Sequence, residues 1–402
     1  LVKLNEEAIP MNKLYYDSAY IKEFEAQVLS CQEGKKGWEI TLSATAFYPE
    51  GGGQPADTGL LGNVRVTDVH EKDGQVVHYT DGPLPVGEMV RGVIDWDRRF
   101  QHMQEHSGEH LVSGLIHQRF GYDNVGFHMG TDEVTIDFNG VLEWGDLMAI
   151  EEKANGMIWE NLEISAVYPE KDELDAMEYR SKKELTGAVR IVSIPGGDVC
   201  ACCGTHVERT GEIGLVKFLS MIHYKGGVRI SLLCGKRAVE DYERKRDQVQ
   251  KISVLLSARP GEISRAVEKL KDEEAKLQEK LVAAYDKLIA SEVRDIKEGD
   301  GDIFILEPDF EAIQLRHLVN RLLEEKKGRT VLALGGAAEG SFLYVLGSRD
   351  GDMRRLSREL NGLLNGRGGG SAQMAQGTFF ATKDQLQAIL KEKGFMSPVP
   401  CN

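Results

Sequence analysis

Two short pairs of metal-ligand residues constrain this chain most, because they lie far apart in the sequence and serve one ion only if the fold brings them together. The first pair is His106-x-x-x-His110 and the second is Cys202-x-x-x-His206, about 90 positions later. Imidazole and thiolate groups are ligands that zinc accepts, and four of them complete a tetrahedral set. The sequence therefore predicts one Zn²⁺ per chain, held between a segment near residue 106 and another near residue 206.

Each pair also has a suitable local structure. Residues 99–116 predict one helix, and an i, i+4 spacing places both imidazoles on the same face, one turn apart. The second pair lies in Cys200-Ala-Cys-Cys-Gly-Thr-His206, a turn of small residues that can curl around an ion. The four-residue spacing favours Cys202 as the thiolate ligand, with Cys203 as the alternative. His102 is a spare histidine one turn before His106.

The first pair also matches a peptidase pattern. His106-Ser-Gly-Glu109-His110 is an H-x-x-E-H sequence, in which the glutamate is the general base of a zinc peptidase. Such an enzyme needs a third ligand, usually a carboxylate on a later helix. The obvious downstream ligands here are a cysteine and a histidine in a turn, which favours a different kind of zinc site.

Length and composition set the broad class. A chain of 402 residues exceeds one ordinary core, and six cysteines, three of them in residues 200–203, indicate metal or thiolate chemistry rather than a disulfide framework. The sequence contains no apolar run of about eighteen residues and no signal-peptide pattern at its start. We expect a cytoplasmic protein without a membrane partner.

The charge is distributed unevenly. The formal net charge is −15, which argues against indiscriminate binding to nucleic acid. Residues 301–402 hold 13 Lys+Arg and 12 Asp+Glu, a balance of +1, so the first 300 residues carry −16. Five arginines lie close together in the near-neutral part: Arg349, Arg354, Arg355, Arg358 and Arg367. This part is the expected contact for a polyanion, with a solvated helix face as the alternative.

The pattern of apolar residues predicts an α+β multidomain chain. Residues 1–95 predict a small β-barrel of short strands, and residues 96–235 an α/β layer with helices near 143–161 and 170–185. Residues 236–295 predict an antiparallel helical hairpin, because a heptad seam follows a break at Arg259-Pro260-Gly261. Residues 296–402 predict a compact C-terminal α/β domain.

Two glycine-rich segments are candidate ligand contacts. Gly51, Gly52 and Gly53 stand between Pro49-Glu50 and Gln54-Pro55, so their backbone N–H groups can approach a ligand without side-chain obstruction. In the second segment, Arg367 and the run Gly368, Gly369 and Gly370 precede a predicted strand. The N–H groups of this run, together with the arginine, suit a phosphate.

Three motifs resemble one family. Thr45-Ala-Phe-Tyr-Pro-Glu-Gly-Gly-Gly-Gln54, His106-x-x-x-His110 and Cys202-x-x-x-His206 resemble the editing domain of alanyl-tRNA synthetases and the free-standing AlaX proteins. The segment Gly366-Arg-Gly-Gly-Gly-Ser-Ala-Gln-Met-Ala-Gln-Gly377 resembles the DHHA1 domain that follows that editing domain. The order of the motifs is that of the long AlaX class and covers nearly the whole chain. An adenylate-forming core does not appear, so we do not expect aminoacylation.

The resemblance implies a zinc-dependent hydrolase that deacylates tRNA(Ala) mischarged with serine, and with glycine as a second candidate. It implies that His106, His110, Cys202 and His206 hold the zinc, and that the loop Gly51–Gly53 with Gln54 lines the pocket. Thr45 is expected to contact the seryl hydroxyl, and His128 to contact the ester or a water. By this interpretation Thr45, Gln54 and His128 are the catalytic residues, and Arg367 with Gly368–Gly370 contacts the tRNA.

Several alternatives stay open at this point. A non-catalytic tRNA-binding factor with a structural zinc has the same motifs, and the peptidase is a weaker third interpretation. The sequence does not decide whether zinc activates a water or anchors the substrate. It also does not decide whether the heptad seam is intramolecular or joins two chains, so a homodimer through the hairpin or the C-terminal domain is left open.

Overall fold

The computed structural model describes residues 12–35, 37–181, 189–338 and 340–397. The chain divides into two compact units, Leu1–Lys251 and Ile252–Asn402. It is a mixed α/β structure, as the sequence predicts. Within the described residues, no helix combines the length and the apolar character needed to cross a membrane.

The first unit begins with a barrel. Alternate side chains of its strands are buried, as in Phe24, Ala26 and Val28, because successive residues of a strand point to opposite faces. Six strands close the barrel in the order β2-β3-β7-β6-β5-β8, and β1 pairs with β4 in parallel. The elements are β1 (Asn12–Lys13), α1 (Leu14–Asp17), β2 (Glu23–Gly34), β3 (Gly37–Leu42), β4 (Ala44–Thr45), β5 (Gly59–Leu61), β6 (Val64–Lys72), β7 (Gln75–Thr80) and β8 (Met89–Ile94).

A helical and sheet layer follows in the same unit. Its core is formed by the helix that carries the first histidine pair and by the strands around it, with Leu111, Leu115 and Ile230 fully or almost fully buried. The sheets have the orders β14-β15-β10-β9 and β11-β12-β13. The elements are α2 (Trp96–Phe120), β9 (Asn124–Met129), β10 (Val134–Phe138), α3 (Trp144–Trp159), β11 (Ser165–Val167), α4 (Lys171–Ala176), β12 (Ile191–Ile194), β13 (Asp198–Ala201), β14 (Val216–Tyr224) and β15 (Gly227–Cys234).

The predicted helix near 170–185 is shorter than expected. It ends at Ala176, and none of its residues is buried, so little tertiary packing extends it. The last part of the prediction, residues 182–188, lies outside the described residues.

Two long helices surround the Pro260 break: α5 (Gly235–Leu255) and α6 (Ile263–Asp295). Most of the apolar seam predicted on α6 is exposed, including Leu270, Leu277 and Leu281. Burial on this helix is confined to Ile289 and Val293 near its end. The antiparallel pairing of α5 with α6 stays a prediction.

The second unit ends in a five-stranded sheet with the order β16-β17-β18-β20-β19. The glycine-rich segment, predicted to precede a strand, is itself an edge strand, because Arg367–Gly370 pairs with Met374–Phe379. The glycines permit this close pairing, since a Cβ on Gly368 would lie 2.3 Å from the carbonyl oxygen of Gln376. The elements are β16 (Asp302–Leu306), α7 (Ala312–Glu324), β17 (Thr330–Ala338), β18 (Ser341–Ser348), α8 (Met353–Leu363), β19 (Arg367–Gly370), β20 (Met374–Phe379) and α9 (Lys383–Glu392).

Candidate metal centre

Helix α2 places the first histidine pair in the interior of its unit. The helix ends at Phe120, and the next residue, Gly121, caps it in a left-handed conformation (φ 72°). His106 and His110 lie one turn apart, and their ring centroids are 5.2 Å from each other. The buried Arg99 anchors the start of the helix, since its Nε donates to Asp57 at 2.8 and 3.0 Å. The helix is therefore held against the barrel close to the histidines.

The second pair lies in the turn after β13. Arg190 shapes this turn, because its guanidinium donates to the carbonyl oxygens of Cys202 and Gly204, both at 3.0 Å. Gly204 packs directly on a ligand ring, and a Cβ there would lie 2.0 Å from Cε1 of His106. The turn therefore needs glycine at this position.

The structure brings all four predicted ligands together. One donor atom from each of His106, His110, Cys202 and His206 lies within 4.8 Å of the others. The Sγ of Cys202 is 3.4 Å from Nε2 of His106 and 3.5 Å from Nε2 of His206. The three histidines are only 2 to 5% exposed.

Each imidazole is fixed through its other nitrogen. The Nδ1 of His106 is 2.8 Å from Oε1 of Gln54, and that of His110 is 3.0 Å from Oδ2 of Asp198. The Nδ1 of His206 is 3.3 Å from Oγ of Ser107. The Gln54 and Asp198 oxygens only accept, so Nδ1 of His106 and of His110 donates, which leaves Nε2 as a ligand atom.

The donor set fits zinc in chemistry and in dimensions. In a tetrahedral site with bond lengths of about 2.3 Å to sulfur and 2.05 Å to nitrogen, sulfur and nitrogen lie about 3.5 Å apart. The observed separations of 3.4 and 3.5 Å agree with this. Three histidines and one cysteine are typical zinc ligands.

The pKa values of Cys202 and His206 also suit a metal site. Burial acts to raise the pKa of Cys202, but the imidazoles of His106 and His110 outweigh it and hold that pKa well below its ordinary value. Burial, with a smaller contribution from His106, lowers the pKa of His206 to about 3. A thiolate and a neutral imidazole are the ligating forms.

The other candidate ligands lie differently. Cys203 is exposed, and the cluster contains Cys202 instead. His102 is buried with its Nδ1 unpartnered, and burial lowers its pKa to about 3. Oε1 of Glu109, the proposed base of a peptidase, accepts hydrogen bonds from Ser113 and Asn124. Because the cluster has four protein ligands instead of three and a water, it differs from the peptidase pattern.

The glycine loop positions Gln54, the hydrogen-bond partner of the predicted metal ligand His106. Gly51 and Gln54 exchange backbone hydrogen bonds of 3.1 and 3.0 Å, so these two N–H groups are used within the loop. Gly53 contacts β9, where a Cβ would lie 2.5 Å from the carbonyl oxygen of Phe127. The Gln54 amide is fully buried, and besides His106 it contacts the Thr205 hydroxyl at 2.8 Å. Gln54 thus holds the imidazole of His106 in place from the protein interior and does not face an open cavity.

Thr45 is fully buried in the barrel. Its hydroxyl is 2.8 Å from Nε2 of His78 and accepts from the N–H of Phe47 at 3.1 Å. His78 Nδ1 donates to the carbonyl of Ile40, so Nε2 is the acceptor and the Thr45 hydroxyl donates to it. The selectivity role of Thr45 stays a prediction.

His128 is not brought to the cluster. It is exposed on β9, one residue after Phe127. The ring of Phe127 packs on His106 with centroids 5.2 Å apart, and successive side chains of a strand point to opposite faces. The position of His128 therefore does not support contact with the ester. In the second unit, Arg367 and Gly368–Gly370 are exposed along the edge strand β19.

Three contributors were missed at the sequence level. Asp198 and Ser107 hold Nδ1 of His110 and His206, and Arg190 holds the turn. Ser107 follows a ligand directly, and Asp198 stands four residues before Cys202. Proximity in sequence was the available signal, but it does not reveal the direction of a side chain.

Comparison with known proteins gives matches to three family models. Residues 4–98 match tRNA synthetases class II (A), and their described part contains the six barrel strands together with α1, the β1–β4 pair and the start of α2. Residues 189–252 match the threonyl and alanyl tRNA synthetase second additional domain, which includes Cys202 and His206. Residues 286–393 match the DHHA1 domain.

Curated relatives extend over nearly the whole chain. The alanyl-tRNA editing protein AlaX-L of Pyrococcus horikoshii is 29% identical over 95% of this chain and 98% of its own length. The alanyl-tRNA editing protein Aarsd1 of Danio rerio is 27% identical over 94% of this chain and 96% of its own. The alanine–tRNA ligase of Pyrococcus abyssi is 33% identical over 94% of this chain, which spans 43% of the ligase. The matches to the second additional domain and the DHHA1 domain thus occur here in one chain that is similar, over almost their full length, to two proteins named alanyl-tRNA editing proteins.

Proposed function

We propose that this protein edits tRNA(Ala) by hydrolysing the ester of the mischarged tRNA, chiefly the seryl ester and secondarily the glycyl ester. The observation that carries the proposal is the buried cluster of three histidines and one cysteine, in a chain similar to two proteins named alanyl-tRNA editing proteins. Neither an aminoacylating activity nor a peptidase is needed to explain this cluster.

The chain's own residues would prepare the site for the ester. Gln54, Asp198 and Ser107 hold the three imidazoles with Nε2 directed to one point. A bound zinc ion supplies a Lewis acid that polarises a carbonyl or lowers the pKa of a water. Arg190 keeps the Cys202 turn in place through two backbone carbonyls. In this proposal Thr45 supplies the selectivity for serine over alanine.

A second candidate is a tRNA-binding factor without catalysis, in which zinc is structural. The favouring observation is that four protein ligands complete a tetrahedral set, which is typical of closed structural sites. The DHHA1 match supports tRNA contact in either case, and Arg367 with Gly368–Gly370 is the proposed contact.

The deciding experiment is incubation with Ser-, Gly- and Ala-charged tRNA(Ala), with and without a chelator, together with a measurement of bound zinc. We expect rapid release of serine, slower release of glycine and little release of alanine. We also expect Cys202→Ala to lower both zinc content and deacylation by about 100-fold or more, in line with the loss of a direct metal ligand.

The matched control is Cys203→Ala, which removes the exposed neighbouring thiol and should retain zinc and activity. Zinc retained together with no deacylation of any of the three tRNAs would support the binding factor. Full activity of Cys202→Ala would reject the metal assignment.

A further inference from the structure

Arg180 lies outside the metal cluster but contacts the residue that holds one of its ligands. The Nε of Arg180 donates to Oδ1 of Asp198 and its Nη2 donates to Oδ2, both at 2.7 Å. The same Oδ2 accepts from Nδ1 of His110 at 3.0 Å. The side chain of Arg180 is 12% exposed and that of Asp198 is 2% exposed, so water competes little for these bonds. A chain of hydrogen bonds therefore runs from the guanidinium through the carboxylate to the imidazole.

The bidentate pair fixes the plane of the Asp198 carboxylate. A guanidinium that bonds both oxygens sets the distance and the plane of its partner, whereas a lysine would act only as a point charge. With Arg180 in place, Oδ2 is held at the point that Nδ1 of His110 reaches. The other nitrogen of this ring is the predicted metal-ligand atom, so the direction of the ring determines where the ion can bind.

The backbone of Arg180 adds a link to the second ligand pair. Its N–H donates to the carbonyl oxygen of Val199, and its carbonyl oxygen accepts from the N–H of Ala201, both at 2.9 Å. These two bonds form an isolated bridge to β13, and β13 ends at Ala201, one residue before Cys202. Arg180 is thus linked to His110 through a side chain and to the Cys202 turn through the backbone.

A second group of possible metal ligands shares two of these residues. Donor atoms of His110, Asp198 and Cys200 lie within 4.8 Å of one another. Both oxygens of the Asp198 carboxylate accept from Arg180, and the positive charge of the guanidinium opposes the binding of a cation at this group. The contacts therefore favour Asp198 as the hydrogen-bond partner of a ligand over Asp198 as a ligand.

We propose that Arg180 is a positioning residue of the metal centre: it holds the Asp198 carboxylate, and thereby the imidazole of His110, in the direction that zinc requires. Arg180 acts through Asp198 and is itself no ligand of the ion. The inference rests on the metal centre of the proposed function, and it adds a residue that determines how tightly and in what geometry the ion is bound.

The test measures metal binding by the full chain, with Zn²⁺ in competition with a chromogenic chelator and with Co²⁺ as a spectroscopic probe. We expect Arg180→Gln to lower zinc affinity about 10-fold, as expected for a residue that orients a metal ligand. The visible absorption bands of bound Co²⁺ should shift, because they depend on the arrangement of the ligands. Arg180→Lys keeps the charge without the bidentate fork, and should recover only part of the affinity.

A double-variant cycle determines whether Arg180 acts through Asp198. Asp198→Asn removes the charge that the guanidinium binds, and should also lower zinc affinity. In the Asp198→Asn background, Arg180→Gln should cause little further loss, because the effects of residues in one hydrogen-bonded chain do not add. Two losses that add in full would overturn the proposal.

The matched control is Arg229→Gln. Arg229 forms a bidentate pair with Asp137 at 2.6 and 2.7 Å in the same unit, and the described hydrogen bonds of these two side chains include none to a predicted metal ligand. This variant should keep the zinc affinity and the Co²⁺ spectrum of the wild type. Thermal melting of the metal-free proteins separates a general loss of stability from a loss of metal binding.

The proposal is overturned if the wild type binds neither metal, if Arg180→Gln binds both like the wild type, or if Arg229→Gln weakens binding equally. Failure of the proposed function is a different result, because these measurements contain no tRNA. A protein that deacylates no tRNA can still bind zinc and lose affinity in Arg180→Gln.

Discussion

Gly204 holds the position at which the second ligand pair passes closest to the first. A Cβ at this position would lie 2.0 Å from Cε1 of His106, far below any van der Waals contact, and 3.1 Å from Oε1 of Gln54 on the other side. The imidazole has no room to retreat, because its Nδ1 is bonded to that same amide oxygen. A single methyl group here therefore acts on the ligand and on the residue that orients it.

We expect Gly204→Ala to displace His106 and reduce zinc affinity by about 10-fold or more, the scale seen when the orientation of a ligand is lost. Competition with a chromogenic chelator measures this affinity. Gly156→Ala is the control, since Gly156 lies in α3 and has no atom within 4 Å of the added Cβ. That variant should bind zinc normally and be slightly more stable, because alanine favours a helix. Equal zinc affinity in both variants would contradict the packing argument.

Thr45 stabilises the barrel through its hydroxyl, which donates to His78 and accepts from Phe47. Thr45→Val leaves both partners unpaired in the interior. We expect the free energy of unfolding to fall by about 1–3 kcal/mol in chemical denaturation. Thr45→Ser retains the hydroxyl and should lose less. If folded Thr45→Val hydrolyses seryl- and alanyl-tRNA in the wild-type ratio, the predicted selectivity role is wrong.

At the scale of elements, helix α2 was the most predictable part of the site. An i, i+4 histidine pair on a helix specifies its own geometry, because the spacing is local. The Cys202 turn was likewise expected from its small residues. The four ligands lie together as predicted from their types and spacing.

The partners of the ligands could not be predicted in the same way. The bond between Gln54 and His106 joins residues 52 positions apart, and that between His110 and Asp198 joins residues 88 apart. No periodicity encodes such contacts, since they depend on how the barrel and the helix pack. His128 on β9 shows that a position in a motif does not define the direction of a side chain. A one-residue shift along a strand turns a side chain to the other face of the sheet.

The barrel contains a histidine that makes its stability dependent on pH. Burial lowers the pKa of His78 to about 4, from 6.5 in the unfolded chain, although the Ile40 carbonyl opposes this. Below pH 6.5 the unfolded chain binds a proton at His78, whereas the folded barrel binds this proton only at about pH 4 and below. Stability is therefore present above pH 6.5 and is lost as the pH falls between these values, by about 1.4 kcal/mol per pH unit.

Denaturation of the wild type and of His78→Gln at several pH values between 7 and 5 tests this. The wild type should lose roughly 2 kcal/mol more than the variant over that interval. His223→Gln, at an exposed position on β14, should keep the wild-type slope. Identical slopes in wild type and His78→Gln would show that His78 is protonated equally in both states.

At the scale of the whole molecule, the metal cluster and the exposed arginines of α8 lie in different units. The cluster belongs to the first unit, whereas residues 301–402, which lie in the second unit, carry a formal charge of +1 against −16 for residues 1–300. The second unit contains the exposed arginines of α8 and the DHHA1 match. The division into four domains that the sequence suggests stays a proposal, and the boundary between the two units, at Lys251, falls within its predicted hairpin of residues 236–295.

This separation gives a prediction about salt. Arg354, Arg355 and Arg358 are exposed on α8, and an acidic protein that binds tRNA needs such a local excess of positive charge. If these arginines contact phosphates, replacing all three by glutamine lowers the number of counterions that are released when tRNA binds. The slope of log K against log salt concentration should then become smaller by up to about 2–3, and the KM for tRNA should rise. Hydrolysis of serine methyl ester should be unchanged, because the cluster lies in the other unit.

The matched control replaces Arg244, Lys245 and Arg246 of α5, which form ion pairs with Asp241 and Asp247. An equal change of slope in both triple variants would mean that the effect follows net charge and that α8 is not a specific contact.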